Sequence, residues 1–169
     1  FNKVIWEAEK IEKKDRIGVV FSYFSQDGDE NYPGNLNVKV TYLLEDSTLN
    51  ILFEATPDKK TPVNMTHHSY FNLSGAGNGR VLNHLLKIYG DHYLPVNNNL
   101  IPTGEIKSVK NTAMDFTSTQ RIGDEIENTG NGYDHNWVLN KEDENLALAA
   151  EVYDEESGRK LKLATTKPG

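Results

Sequence analysis

Short runs rich in Val, Ile, Leu, Tyr, Phe and Thr alternate along the chain with clusters of Gly, Asn, Asp and Pro, the pattern of β-strands separated by turns. It predicts strands at residues 4–11, 17–25, 36–44, 48–55, 63–65, 69–73, 84–89, 136–139, 146–153 and 160–166. Side chains alternate faces along a strand. Leu36, Val38, Val40, Tyr42 and Leu44 therefore share one face, with Asn35, Asn37, Lys39 and Thr41 on the other, and Leu49, Ile51, Phe53 and Ala55 repeat the pattern after Glu45-Asp46-Ser47. That is a hairpin. A second joins Leu146, Leu148, Ala150 and Val152 to Leu161 and Leu163 through Asp154-Glu155-Glu156-Ser157-Gly158, where glycine supplies the positive φ a turn needs. Each buried Leu or Phe contributes roughly 1.5–3 kcal/mol, and a sheet with one apolar face has to be covered by another layer. The expected fold is all-β, an antiparallel sandwich of two large sheets.

Between residues 91 and 119 the alternation loosens, and Pro95 and Pro102 disfavour a central strand. This stretch reads as ordered loop, followed by a short helical turn at 122–126. The glycine tract at 75–79 reads as a flexible tip; no Gly-Lys-Ser/Thr follows it, so it is a poor phosphate loop.

Composition narrows the reading. The 169 residues suit a single domain spanning 1–169, with 37% hydrophobic and 25% charged residues. No apolar run is long enough for a membrane-spanning helix. The net charge of −7 and the scattered Lys and Arg disfavour nucleic acid, which needs a basic face. With no cysteine there is neither a disulfide framework nor a thiolate metal site, and a cytoplasmic setting is the expectation, with export left open. Phe1 is not an initiator methionine, and the alternating run at 160–166 stops at Lys167-Pro168-Gly169. The expectation is a piece of a larger domain, incomplete at both ends, partnered by the rest of that domain or by a second copy.

The candidate chemistry lies in two polar clusters. Val63-Asn64-Met65-Thr66-His67-His68-Ser69-Tyr70-Phe71-Asn72-Leu73 sets adjacent histidines, amides and hydroxyls into what reads as buried strand, and burying them is costly unless they have partners or a task. In a strand His68, Tyr70 and Asn72 face one way and His67 the other, so the two histidines could not share a metal without a bulge. No metal is expected. Gly132-Tyr133-Asp134-His135-Asn136-Trp137-Val138-Leu139 has the same texture, with Tyr133 and Trp137 on the face of His135. A histidine between aromatic rings suits a sugar, whose C–H faces lie on rings while its hydroxyls take hydrogen bonds. His84 and His92 read as structural, and Glu105, Asp115 and Asp134 as solvated turn or capping groups.

Asn64-Met65-Thr66-His67-His68-Ser69-Tyr70-Phe71-Asn72-Leu73, Tyr93-Leu94-Pro95-Val96, Leu100-Ile101-Pro102-Thr103-Gly104-Glu105 and Gly132-Tyr133-Asp134-His135-Asn136-Trp137 resemble, in order and spacing, the signature segments of the galactose mutarotases, or aldose 1-epimerases. Asn31-Tyr32-Pro33-Gly34 and Thr165-Thr166-Lys167-Pro168-Gly169 are similar to further family segments. The resemblance implies a galactose mutarotase-like supersandwich and interconversion of the α and β anomers of free aldoses without a cofactor. A base takes the C1 hydroxyl proton while an acid protonates the ring oxygen, and the reopened ring recloses on either face. It implies His135 as general acid and His68 as the histidine that polarises the ring oxygen or C1 hydroxyl, both touching the sugar, with Asn136 and Trp137 as further contacts. Imidazole suits the task because it gives and regains a proton near neutral pH. The family's glutamate base and its substrate-binding arginine have no matching segment here. Position 67, more often Asn in the family, is His, and Asn97-Asn98-Asn99 replaces a more acidic loop. The competing reading is a carbohydrate-binding module without turnover.

Overall fold

The computed structural model describes residues 1–130 and 132–169. Among these residues eleven strands run in the order β1 (Glu7–Glu12), β2 (Arg16–Ser25), β3 (Leu36–Glu45), β4 (Thr48–Pro57), β5 (Leu85–Ile88), β6 (His92–Leu94), β7 (Lys107–Ser108), β8 (Gln120–Arg121), β9 (Asn136–Val138), β10 (Ala147–Tyr153) and β11 (Lys160–Thr165). Every ladder between them is antiparallel. The helical segments among the described residues are short 3-10 turns at Asp29–Asn31, Val81–Asn83 and Ile126–Thr129. The chain divides into two compact units, Phe1–Ser69 and Tyr70–Gly169.

The first unit holds one four-stranded meander, β1-β2-β3-β4. Its core is the predicted alternating face: Leu36, Val38 and Val40 are buried, with Trp6, Tyr42, Ile51, Phe53, Ala55 and Met65 packed against them. The loop between β3 and β4 closes where Glu45 pairs with Thr48, and Asp46 takes a left-handed φ of 51° in it. Leu44 and Leu49, at this end of the hairpin, remain exposed.

The second unit contains a four-stranded sheet, β11-β10-β5-β8, and a three-stranded sheet, β7-β6-β9. Gly158 closes the β10–β11 hairpin at φ 70°. The register shifts between Leu148 and Ala150, and this bulge breaks the predicted alternation. Ala149 is buried in consequence, while Leu146 lies outside β10 and is exposed.

Three further expectations change. Residues 63–65 and 69–73 form no strand, and most of this stretch, His68, Tyr70 and Phe71 included, is exposed rather than buried. A strand exists only where a second segment offers its own row of N–H and C=O groups, and no described strand pairs with this one. The 91–119 stretch is not all loop: β6, β7 and a bridge between Val96 and Pro102 order it, and it supplies the buried Val109, Met114 and Phe116. The helical turn falls at Ile126–Thr129 instead of 122–126, because the Ile122 N–H is held by the His84 carbonyl (3.0 Å) and the Gly123 N–H by that of Leu82 (2.8 Å).

Candidate active site

β9 positions His135. The ladder sets Tyr93 opposite Trp137 and Leu94 opposite Asn136, so the residue just before β9 lies diagonally across from Tyr93. The Tyr93 ring meets the His135 imidazole edge to face, with centroids 5.7 Å apart. Behind it, Tyr93, Val109 and Met114 form a buried cluster with Tyr133 and Trp137 packed on it. Phe116, 1% exposed, meets Tyr133 at 5.1 Å and Trp137 at 6.2 Å. The Trp137 indole donates to the Met114 carbonyl at 3.0 Å, so its N–H is already committed and only its ring is left to a ligand.

The backbone of β9 is fixed from two further sides. Leu139 N–H donates to the Pro168 carbonyl and Asn140 N–H to that of Tyr89, each at 2.8 Å. Gly90 is buried beneath the Val138 carbonyl, where an added Cβ would lie 2.6 Å from that oxygen. A side chain there would displace β9 and the histidine ahead of it.

His135 is half-buried, and its Nδ1 is sealed from solvent with no hydrogen-bond partner among the described residues. A proton passed to a ligand therefore leaves through Nε2. The Tyr133 hydroxyl is likewise buried and without a partner among the described residues. Burial raises its pKa, and the charges of Glu125 and Asp124 raise it further, so it stays protonated. Asn136 is exposed on β9, as is Asp134 ahead of it.

His68 stands in the other unit, exposed in the stretch that forms no strand. Beside it, His67 Nδ1 and Ser69 Oγ lie 3.1 Å apart, an interaction within the same short segment. Thus His135, Asn136 and Trp137 are held together by β9, while His68 rests on a separate part of the chain. Asp115 serves as a turn group, accepting from the Thr117 N–H (3.1 Å) and hydroxyl (2.6 Å).

Two features escape a reading of the sequence. Tyr93 shares a segment with Leu94-Pro95-Val96, but only the β6–β9 register brings it to His135. His84 is 1% exposed and lies against the equally buried Asp154, with Nδ1 and Oδ1 3.8 Å apart. The pairing of Leu85 with Tyr153 makes them neighbours, and no spacing in the sequence announces it. They line a polar cleft of about 730 Å³ with Ser74, Asn78, Arg80 and Arg121 among the other walls.

Comparison with known proteins places this chain. The family model described as Aldose 1-epimerase matches residues 1–169. Galactose mutarotase of Pongo abelii is 41% identical over 170 residues, covering 100% of this chain and 48% of the relative. Aldose 1-epimerase of Escherichia coli (strain K12) is 40% identical over 174 residues, covering 99% of this chain and 49% of that protein. The crystal structure of galactose 1-epimerase from Lactobacillus acidophilus NCFM superposes with a TM-score of 0.78 at 32% identity, over 89% of this chain and 45% of that one. The chain spans about half the length of these relatives. With a match along its whole length and a β-fold shared with a solved relative, the chain belongs to the aldose 1-epimerase family.

Proposed function

We propose that the protein carrying this sequence is an aldose 1-epimerase that interconverts the α and β anomers of free aldoses, galactose or glucose, by acid/base opening of the pyranose ring. The observation that carries the reading is the match to the family along residues 1–169. The names of the relatives, galactose mutarotase and galactose 1-epimerase, favour galactose as the first substrate to test.

In this reading His135 is the general acid. Its Nε2 gives a proton to the ring oxygen as the bond from that oxygen to C1 opens, and recovers it when the ring recloses on the other face. The exposed Asn136 amide contacts sugar hydroxyls, and the Trp137 ring offers an apolar face to the C–H surface of the pyranose. His68 polarises the ring oxygen or the C1 hydroxyl. The base that takes the C1 hydroxyl proton, a glutamate in the family, lies outside these 169 residues, and no cofactor takes part. Protonating the ring oxygen and deprotonating the C1 hydroxyl in one step avoids a charged sugar intermediate in either direction. Each such proton transfer is worth about 10²- to 10⁴-fold in rate.

Polarimetry on freshly dissolved α-D-galactose tests this in the protein as encoded. The expected result is a mutarotation rate above that of buffer, which falls in His135→Ala while the fold is kept. Sugar binding with no rate above buffer, undiminished by His135→Ala, would establish the carbohydrate-binding module instead.

A further inference from the structure

A histidine ring turns about a terminal torsion that is broad and roughly two-fold, so rotamer preference alone leaves the direction of Nε2 open. The usual constraint on a working imidazole is a hydrogen bond at its other nitrogen. His135 has none there among the described residues, because Nδ1 is sealed from solvent and without a partner. Against its face lies a ring instead. Tyr93 and His135 have centroids 5.7 Å apart and planes at 72°, within the range of about 4.5–7 Å over which edge-to-face pairs attract.

Tyr93 is able to hold the imidazole because it is itself held. It is 8% exposed, and it occupies the middle of β6 with its backbone paired on both edges, to Lys107 of β7 and to Trp137 of β9. Val109 and Met114 complete a buried cluster with it. His135 stands two positions before Trp137, which makes it the diagonal neighbour that an aromatic side chain reaches across a ladder. Both rings belong to the unit Tyr70–Gly169. We propose that Tyr93 is a positioning residue for His135: its buried ring does what a hydrogen bond at Nδ1 would do, fixing the plane of the imidazole and so the line along which Nε2 meets the sugar. The role rests on the epimerase reading, which makes His135 the acid. Tyr93 acts through the imidazole and not on the sugar. A turned imidazole would still carry its proton but would deliver it off the line to the ring oxygen, and a misplacement of about 1 Å costs about 100-fold in rate. The contact needs the flat ring rather than the hydroxyl, so Phe suffices at this position, while Leu or Met fills the space without supplying a plane.

Kinetics and NMR on the protein as encoded test this together. In wild type, nuclear Overhauser contacts should join the Tyr93 ring protons to the imidazole C–H protons of His135. Tyr93→Leu should lower kcat for mutarotation of α-D-galactose per folded molecule by on the order of 10- to 100-fold with KM little changed. The imidazole C–H signals should at the same time lose their ring-current displacement. Tyr93→Phe should keep that displacement and most of kcat. If Tyr93→Leu does not fold, Tyr93→Met, whose unbranched side chain adapts to irregular gaps, should show the same loss. A Leu or Met variant that melts lower yet turns over at the wild-type rate would overturn the positioning role and leave the epimerase reading standing. So would a loss in Phe as large as in Leu, an effect confined to KM, or a wild type without the ring contacts. A wild type at the buffer rate would remove the epimerase reading, and this role with it.

Discussion

Asp154 shows how far a single side chain's role depends on its surroundings. Hydrogen bonds from Ser157, then from Ser74, hold its carboxyl below the ordinary carboxylate range, against the opposing effect of burial. A depressed folded-state pKa means that the unfolded chain binds the proton more readily. The stabilisation is then complete above the unfolded value of about 3.9 and is lost as pH falls through the lower folded value. Asp154→Asn should destabilise the protein at neutral pH, and urea unfolding should show the gap to wild type narrowing below about pH 4. A gap of constant size from neutral to acid pH would contradict this. The sequence made this residue legible only as part of a turn, because its partners Ser74 and His84 lie some 70 to 80 positions away along the chain and are found only through the β5–β10 register. His68 and His135 were legible for a different reason: each sits in a run of polar residues matching a family segment, and that signal needs no register.

At the scale of elements, alternation served well where one face of a strand is buried and poorly elsewhere. The β3–β4 hairpin follows its apolar positions through Leu36, Val38, Val40, Tyr42, Ile51, Phe53 and Ala55, while Leu44 and Leu49 at its turn end stay exposed. Residues 63–73 have a strand's composition but form no strand among the described residues, and composition cannot distinguish the two cases. The stretch holding Val109, Met114 and Phe116 lacks alternation because it packs as a turn-rich segment against Tyr133 and Trp137, so its contribution to the core was not visible beforehand. At Ala149 a one-residue bulge inverted the expected faces. β9 follows directly on His135, the proposed acid, and Gly90 is what lets it lie where it does. Gly90→Ala should cost about 1–3 kcal/mol of stability, read as a lower denaturation midpoint. It should also reduce turnover of the folded fraction, because the added methyl pushes Val138 and the residues before it outward. Unchanged stability and turnover would mean that β9 can shift without consequence for His135.

Over the whole molecule, sequence and structure agree on an all-β chain of antiparallel sheets, and the family match spans both compact units. No described helix is long and apolar enough to cross a membrane. The two histidines proposed for the chemistry, His68 and His135, lie one in each compact unit, and the proposed function needs both. A double-mutant cycle on the protein as encoded, followed by polarimetry on fresh α-D-galactose with folding checked by circular dichroism, tests this most directly. The account predicts a clear catalytic rate for wild type, losses in kcat on the order of 10²- to 10⁴-fold for His68→Ala and for His135→Ala, and a double variant no slower than the worse single one. Losses that simply multiply in the double variant, or a His68→Ala or His135→Ala protein that turns over at the wild-type rate, would contradict it.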